Sequence, residues 1–131
     1  MEELIARVAN AANIAPDVAQ RAIGLIFAFL KKEGPTAEVM EMLQALPGAE
    51  EAAAAGAADK PSGGGLLGGL MSMMGGGGGL MGLAGQLTGI GLGTGEMATV
   101  GKELFAYAKE KAGDERVSHV ANAIPGLGQF I

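Results

Sequence analysis

The stretch "FAFLKKEGPTAEVMEMLQALPG" (residues 27–48) aligns without a gap on "FAYAKEKAGDERVSHVANAIPG" (residues 105–126). Apolar residues of the two stretches coincide at many positions, and both stretches end on Pro-Gly. The position that can cap the last helix carries a good N-cap residue in each, Thr36 in the first and Asp114 in the second. We interpret this match as an internal duplication, which predicts one local fold for both halves of the chain. The constant shift of 78 residues that takes Phe27 to Phe105 is called the repeat offset.

The first copy of the repeat predicts three helices. Residues 2–12, "EELIARVANAA", place apolar side chains at helical spacing. Pro16 suits the first turn of a second helix over 16–33, because that position needs no N–H donor. The third helix is expected over 37–46, with Thr36 as its N-cap. The side chains of this helix that are expected to face inward are Val39, Met40, Leu43 and Leu46.

The second helix contains "AIGLIFAFL" (22–30), nine residues without a polar side chain. A helix that is apolar on every side has to be buried on every side, and nine residues fall far short of the ~20 that span a bilayer. This helix is therefore expected either in the middle of the monomer or in a dimer interface. The candidate residues for self-association or apolar contact are Ile23, Ile26, Phe27, Phe29 and Leu30, with Phe105 and Tyr107 in the second copy.

The second copy of the repeat predicts three further helices. Apolar residues of 80–90 lie at helical spacing, and Thr94 is the expected N-cap of the helix that follows the turn "GLGTGE". The predicted fold is all-α: a helical bundle of two pseudo-repeated three-helix units joined by a Gly-rich flexible spacer. The units are assigned to residues 1–49 and 80–131 and the spacer to 50–79, and the units are expected to pack into one domain.

The glycine-rich region leaves two interpretations open. Residues 63–79 contain ten glycines, and each costs a helix about 1 kcal/mol relative to alanine, which favours a flexible connector. The wider stretch 63–95 carries no charged side chain, and some of its glycines follow the four-residue spacing of contacts between membrane helices. Membrane contact through 63–90 is the less favoured alternative, because glycine supplies little apolar surface and a spanning helix needs about 20 predominantly apolar residues.

The composition narrows the classes of partner and site. The 131 residues include nine Lys and Arg against 14 Asp and Glu, a net charge of −5. This balance argues against nucleic acid as a partner, because nucleic-acid-binding proteins concentrate Lys and Arg on one face. The absence of cysteine excludes disulfides, thiolate zinc sites and thiol nucleophiles. The acidic, amphipathic start "MEELIARVAN" does not resemble a secretory signal, so we expect a cytoplasmic location.

The sequence offers few residues for chemistry. His119 is the one histidine, and the repeat aligns it with Glu41, a position expected to face solvent on the third helix. Glu38 and Glu41 lie three residues apart, but two carboxylates alone make a poor metal site. The stretch "GTGEMA" lacks the lysine and the preceding strand of a phosphate-binding loop. We therefore predict no enzymatic activity, no cofactor and no bound metal.

Two families resemble parts of the chain. The stretch "MEELIARVANAANIAPDVAQRAIGLIFAFLKKEG" (1–34) resembles the N-terminal helical region of the histone-like HU/IHF proteins, whose helices form an intertwined dimer core. This resemblance implies a helical hairpin able to dimerise and, because the basic β-arm is missing here, no DNA binding. The succession of "LPGAEE", "GGGLLGGL" and "LMGLAGQLTGIGLGTGEMATVGKELF" resembles small bacterial proteins of the VcgC/VcgE type and related alphaproteobacterial domains of unknown function. It implies a helical protein with a central Gly-rich spacer and assigns no functional residue.

These observations predict a non-enzymatic helical protein that self-associates as a homodimer or binds another protein, acting as an interaction or scaffolding module. One alternative is reversible membrane association through 63–90. The other is an apolar-ligand carrier whose cavity is bounded by four aromatic side chains: Phe27, Phe29, Phe105 and Tyr107.

Overall fold

The computed structural model describes residues 2–58 and 79–124 of the chain. These residues form seven helices and no strand, so the predicted all-α class is confirmed for them. The helices are α1 (Glu2–Ala12), α2 (Pro16–Glu33), α3 (Thr36–Ala45), α4 (Ala49–Ala58), α5 (Gly79–Gly89), α6 (Thr94–Ala112) and α7 (Asp114–Ala123). The predictions for residues 59–78, most of the spacer, and for 125–131 lie outside the described residues.

Helix α2 lies at the centre of the bundle and packs against α1, α3, α4, α5 and α6. Every residue of "AIGLIFAFL" (22–30) is buried except Ala28, which is half-buried. The prediction that this apolar helix is enclosed on all sides is therefore confirmed. A helix that is apolar on every side needs neighbours on every side. Here the other helices of the same chain supply these neighbours.

Helix α4 forms its most extensive contact with α2 and covers α2 at Gly24. The two helices cross at Gly24 and Gly56, where backbone meets backbone. A Cβ atom added at Gly24 would lie 2.7 Å from the carbonyl oxygen of Ala52, and one added at Gly56 would collide with the carbonyl oxygen of Gly24. Residues 50–58 fall in the range assigned to the flexible spacer, and the structure shows them as part of this helix.

Alanine accounts for α4 as a helix, because "AEEAAAAGAA" is built mainly from the residue with the highest helix propensity. Glu50 and Glu51 lie in its first turn, where the helix dipole favours negative charge. The helix has little amphipathic character of its own, so its position depends on the close fit to α2 at the two glycines.

The inward face of α3 differs from the predicted one at a single residue. Val39, Leu43 and Leu46 are buried as predicted, but Met40 is 43% exposed and Met42 is fully buried in its place. Residues 39, 42, 43 and 46 follow the i, i+3, i+4, i+7 spacing of one helix face. The choice of Met40 was wrong because position 40 lies beside that stripe instead of within it.

The predicted N-caps are all displaced by one residue. Thr36, Thr94 and Asp114 are the first helical residues of α3, α6 and α7, and the caps are Pro35, Gly93 and Gly113. None of these caps makes a side-chain hydrogen bond to the helix. Asp114 still lies in the first turn of α7, where its charge is favourable.

Candidate functional site

The first half of the described chain, 2–58, packs on the second half, 79–124, through two reciprocal helix contacts. Helix α1 packs on α6, and α5 packs on α2. Helix α3 adds contacts with both α6 and α7. We call this surface the inter-half contact. It is the candidate site for two reasons. It contains the residues that the sequence predicted for self-association, and it contains the ion pairs described below.

All the predicted contact residues are buried, in one core cluster that draws on both halves. They are Ile23, Ile26, Phe27, Phe29 and Leu30 of α2, and Phe105 and Tyr107 of α6. The four aromatic members are the side chains expected to bound a ligand cavity, and none of them lines the groove described below. Within the folded chain these residues are therefore core side chains, and another molecule can reach them only if the bundle opens.

Helices α2 and α6 bury corresponding positions. Each buried residue of α6 is related by the repeat offset to a buried residue of α2. The buried residues of α6 are Val100, Gly101, Leu104, Phe105, Tyr107 and Ala108. In its apolar stretch, α2 buries Gly24 and Leu25 in addition, where the corresponding residues of α6 are Lys102 and Glu103. This difference agrees with the helices that surround α2 and α6. Helix α4 covers Gly24 of α2, whereas no described helix follows α7 to cover the corresponding position of α6.

Helices α3 and α7 correspond in the same way and contact each other. Val39, Met42 and Leu43 are the buried residues of α3, and their counterparts at the repeat offset are the buried residues of α7: Val117, Val120 and Ala121. The residue that follows each helix, Leu46 or Ile124, is also buried. The apolar faces of both helices therefore point into the common core, and their polar faces are left at the edge where the two helices meet.

A salt bridge between Arg116 and Glu41 and a His119–Glu38 pair, which is ionic when His119 is protonated, bridge α3 and α7 at this edge. Glu38 Oε1 lies 3.0 Å from His119 Nδ1, and Arg116 Nε lies 3.2 Å from Glu41 Oε2 in a salt bridge. We call these four residues the seam quartet. Their side chains are partly exposed, with 36% exposure for Glu38 and 74% for His119. Exposed pairs of this kind contribute about 0.2–1 kcal/mol each, so they add little to the stability of the fold.

The seam quartet has an internal symmetry. The repeat offset takes Glu38 to Arg116 and Glu41 to His119. The two ion pairs therefore exchange with each other when the two halves are exchanged. The charges do not follow this symmetry, because the first half supplies both carboxylates and the second half supplies both basic side chains.

Arg7 forms a second link between the halves, from α1 to α6. Its Nε donates to Glu103 Oε2 at 2.8 Å, and its Nη1 donates to Glu110 Oε2 at 2.7 Å. Hydrogen bonds to Glu110 and Glu103 raise the pKa of Arg7 above its ordinary value, which means that the two carboxylates favour the charged guanidinium. The two glutamates lie seven residues apart, so this link joins α1 to α6 at two places about two helical turns apart.

An open groove of about 590 Å³ runs along the seam quartet at the junction of α6 and α7. Glu38, Arg116 and His119 line it together with Asp114 and Glu115. Charges of both signs are interspersed there, so the groove offers no uniform field to an anion or a cation. Within residues 2–58 and 79–124, no three His, Cys, Asp or Glu side chains come together closely enough to hold a metal ion.

The pairing of His119 with Glu38 was not anticipated from the sequence, which predicted only that His119 faces solvent. The two residues are 81 positions apart, and helical periodicity carries no information on contacts at that separation. The signal that could have found the pair is the repeat itself, because it places acidic residues of one copy at the positions of basic residues in the other.

Comparison of the chain with protein-family models, with curated proteins and with solved structures finds no match. None of the helices within the described ranges combines the length and the apolar character that crossing a bilayer requires.

Proposed function

We propose that the chain is a helical protein-interaction module that self-associates without catalysing a reaction, and that it consists of two duplicated three-helix units. Unit one comprises α1–α3, with α4 as an addition, and unit two comprises α5–α7. The observation that carries the proposal is the reciprocal packing at the inter-half contact. The first helix of each unit packs on the second helix of the other, so each unit completes its core with the other unit.

The helix boundaries support the duplication. Helices α2 and α3 begin at Pro16 and Thr36, and the repeat offset takes these two positions to Thr94 and Asp114, where α6 and α7 begin. The turn before the second helix has a positive φ at corresponding positions, 55° at Asn13 and 101° at Gly91.

Backbone hydrogen bonds outside the helices also recur at the repeat offset. The N–H of Ile14 donates to the oxygen of Ala9, and the N–H of Leu92 donates to the oxygen of Leu87. The bond from Leu46 to Leu43 likewise returns as the bond from Ile124 to Ala121. Such turns depend on local sequence, so their recurrence supports a common origin better than composition does.

Self-association follows from the way in which the units complete each other. In one chain, unit one covers the apolar face of unit two. Unit two of a second copy presents the same face, so two chains can exchange units and form the same contacts between molecules. The spacer between the units keeps unit two of the same chain close to unit one. In dilute solution this favours the closed monomer over the exchanged dimer. The exchanged dimer therefore becomes populated as the protein concentration rises.

The resemblance of residues 1–34 to the HU/IHF helical region supports the same proposal, since the helices of that family interlock in a dimer. Here the interlocking partners are two units of one chain. We propose that the chain is a fused form of such a pair, and that its scaffolding role uses the exchange of units between copies.

The length of the connector tests the proposal. Residues 59–78 join α4 to α5, and deleting residues 63–78 leaves four residues, which span at most about 14 Å when extended. We expect multi-angle light scattering to show a dimer fraction that rises with concentration in the wild type, and a larger dimer fraction in the shortened variant. The control replaces residues 63–78 by a Gly-Ser segment of equal length, which should behave as the wild type does.

A mass of one chain at all concentrations, for the wild type and the shortened variant alike, would overturn the proposal. Liposome flotation with the same three proteins addresses the membrane alternative. Flotation of the wild type alone, lost in both altered proteins, would assign the function to the glycine-rich segment instead.

A further inference from the structure

We infer that the seam quartet makes unit one select unit two as its partner and reject a second unit one. This inference rests on the proposed function, because it names the partner that the exchanging surface accepts. The partner is the α7 face of a unit two that presents Arg116 and His119, supplied by the same chain or by another copy.

The reasoning starts from the symmetry of the ion pairs. If two copies of unit one met as units one and two do here, each α3 would occupy the place of the other's α7. Glu38 of one copy would then face Glu41 of the other, twice over, with no cation in the seam. Like charges in direct contact across an interface penalise the wrong pairing, which is how related interfaces acquire specificity.

A pair of two unit-two copies fails for the complementary reason. Arg116 of one copy would face His119 of the other, and neither side would supply a carboxylate to pair with the guanidinium. Only the mixed pairing places a carboxylate opposite each basic side chain, at the 3.0 Å and 3.2 Å separations found within the chain.

Arg7 selects the same partner independently, through the contact of α1 with α6. Its partners in unit two are Glu103 and Glu110, and the corresponding residues of unit one are Leu25 and Lys32. In a pair of two unit-one copies, Arg7 would meet an apolar side chain and a second cation. The α1–α6 contact therefore favours the same mixed pairing as the seam quartet.

The consequence is a rule for assembly. When two chains exchange units, each seam joins unit one of one copy to unit two of the other. Two chains that exchange units form a closed dimer in which both seams pair carboxylates with basic side chains. Units of the same kind do not associate. Selection thus depends on the seam quartet and on the pairs that Arg7 forms, while affinity comes from the buried faces that both units share.

Charge reversal across the seam tests the inference within single chains. The variants are E38R/E41R, R116E/H119E and the four-fold combination of both. We expect each double variant to lower the equilibrium constant of folding about tenfold at low salt, and the four-fold variant to recover most of that loss, because opposite charges face each other again. The recovery should shrink at high salt, where exposed charges are screened.

The matched control is E50R/E51R, which changes the net charge as E38R/E41R does but lies on α4. Adding R116E/H119E to this control should bring no recovery. Additive losses in the four-fold seam variant, or a recovery that salt leaves unchanged, would overturn the inference. The cycle compares monomers at low concentration, so its result does not depend on whether the wild type dimerises.

A second experiment mixes the two double variants. Unit one of E38R/E41R is complementary to unit two of R116E/H119E, and the remaining two units keep their wild-type charges. After joint refolding at high concentration, native mass spectrometry should show about a hundredfold more mixed dimer than dimer of either variant alone, because each unmixed dimer contains two mispaired seams and the mixed dimer contains none. Equal amounts of mixed and unmixed dimers would overturn the inference and leave the proposal of self-association standing.

Discussion

Gly24 and Gly56 set the distance between α2 and α4, because each occupies a position where the backbone of the other helix leaves no room for a Cβ. Glycine normally weakens a helix, and α4 tolerates it because the close approach buries Gly56 together with Ala53. The sequence analysis assigned no role to these two glycines, since Gly24 was one residue of the apolar stretch 22–30 and Gly56 fell in the range assigned to the spacer. Their role depends on a contact between residues 32 positions apart, which local pattern does not encode.

We predict that Gly56→Ala destabilises the fold by about 1–3 kcal/mol, since the added methyl group would collide with the Gly24 carbonyl and force the helices apart. Gly85→Ala in α5 is the matched control, because nothing lies within 4 Å of the new Cβ there. That substitution should stabilise the fold by up to about 1 kcal/mol through helix propensity. Urea denaturation of both variants measures the difference, and effects of equal sign would contradict this account of the α2–α4 contact.

At the scale of the element, helical periodicity and the Pro and Gly stop signals placed the helices well. Residues 2–12 and 16–33 were predicted as helices and are α1 and α2. These signals are local, so they predict the helix positions without knowledge of the fold. The face of a short helix is harder to predict, because α3 carries apolar side chains at both 40 and 42, and only packing against the other helices decides between them.

The two methionines of α3 give a direct comparison within one helix. Met42→Ala removes a fully buried side chain and should cost about 2–5 kcal/mol, depending on how far the site collapses. Met40→Ala removes a side chain that is 43% exposed and should change the free energy of unfolding by no more than about 0.5 kcal/mol. Chemical denaturation of the two variants gives both values. Similar losses for both would mean that α3 is rotated relative to the face described here.

At the scale of the whole molecule, α1 reaches across to α6, and Arg7 marks that contact. The two partners of Arg7 are 96 and 103 positions away in sequence, so this link closes the bundle between its first and its second half. The repeat in the sequence predicted that the two halves pack together. It did not predict that α1 packs on α6 and α5 on α2.

Arg7→Gln removes the charge that Glu103 and Glu110 share and leaves two carboxylates near each other on α6. We expect the free energy of unfolding to fall by about 1 kcal/mol at low ionic strength, and by less at high salt, because both pairs are partly exposed. Lys102→Gln, which removes one positive charge from an exposed position of α6, is the control and should have a smaller effect. Equal effects of the two substitutions would show that the net charge, and not the link between α1 and α6, is responsible.

The sequence alone determined the helical class, the ends of α1, α2, α3 and α5 to within about a residue, and the burial of the central apolar helix, because these depend on periodicity and on residues close in the chain. Only the tertiary structure decided that α4 covers Gly24, that α1 lies on α6, and that Glu38 meets His119. Those contacts join residues from about 30 to 100 positions apart. They are decided by the packing of whole helix faces, and a one-dimensional pattern describes each face without specifying its neighbour.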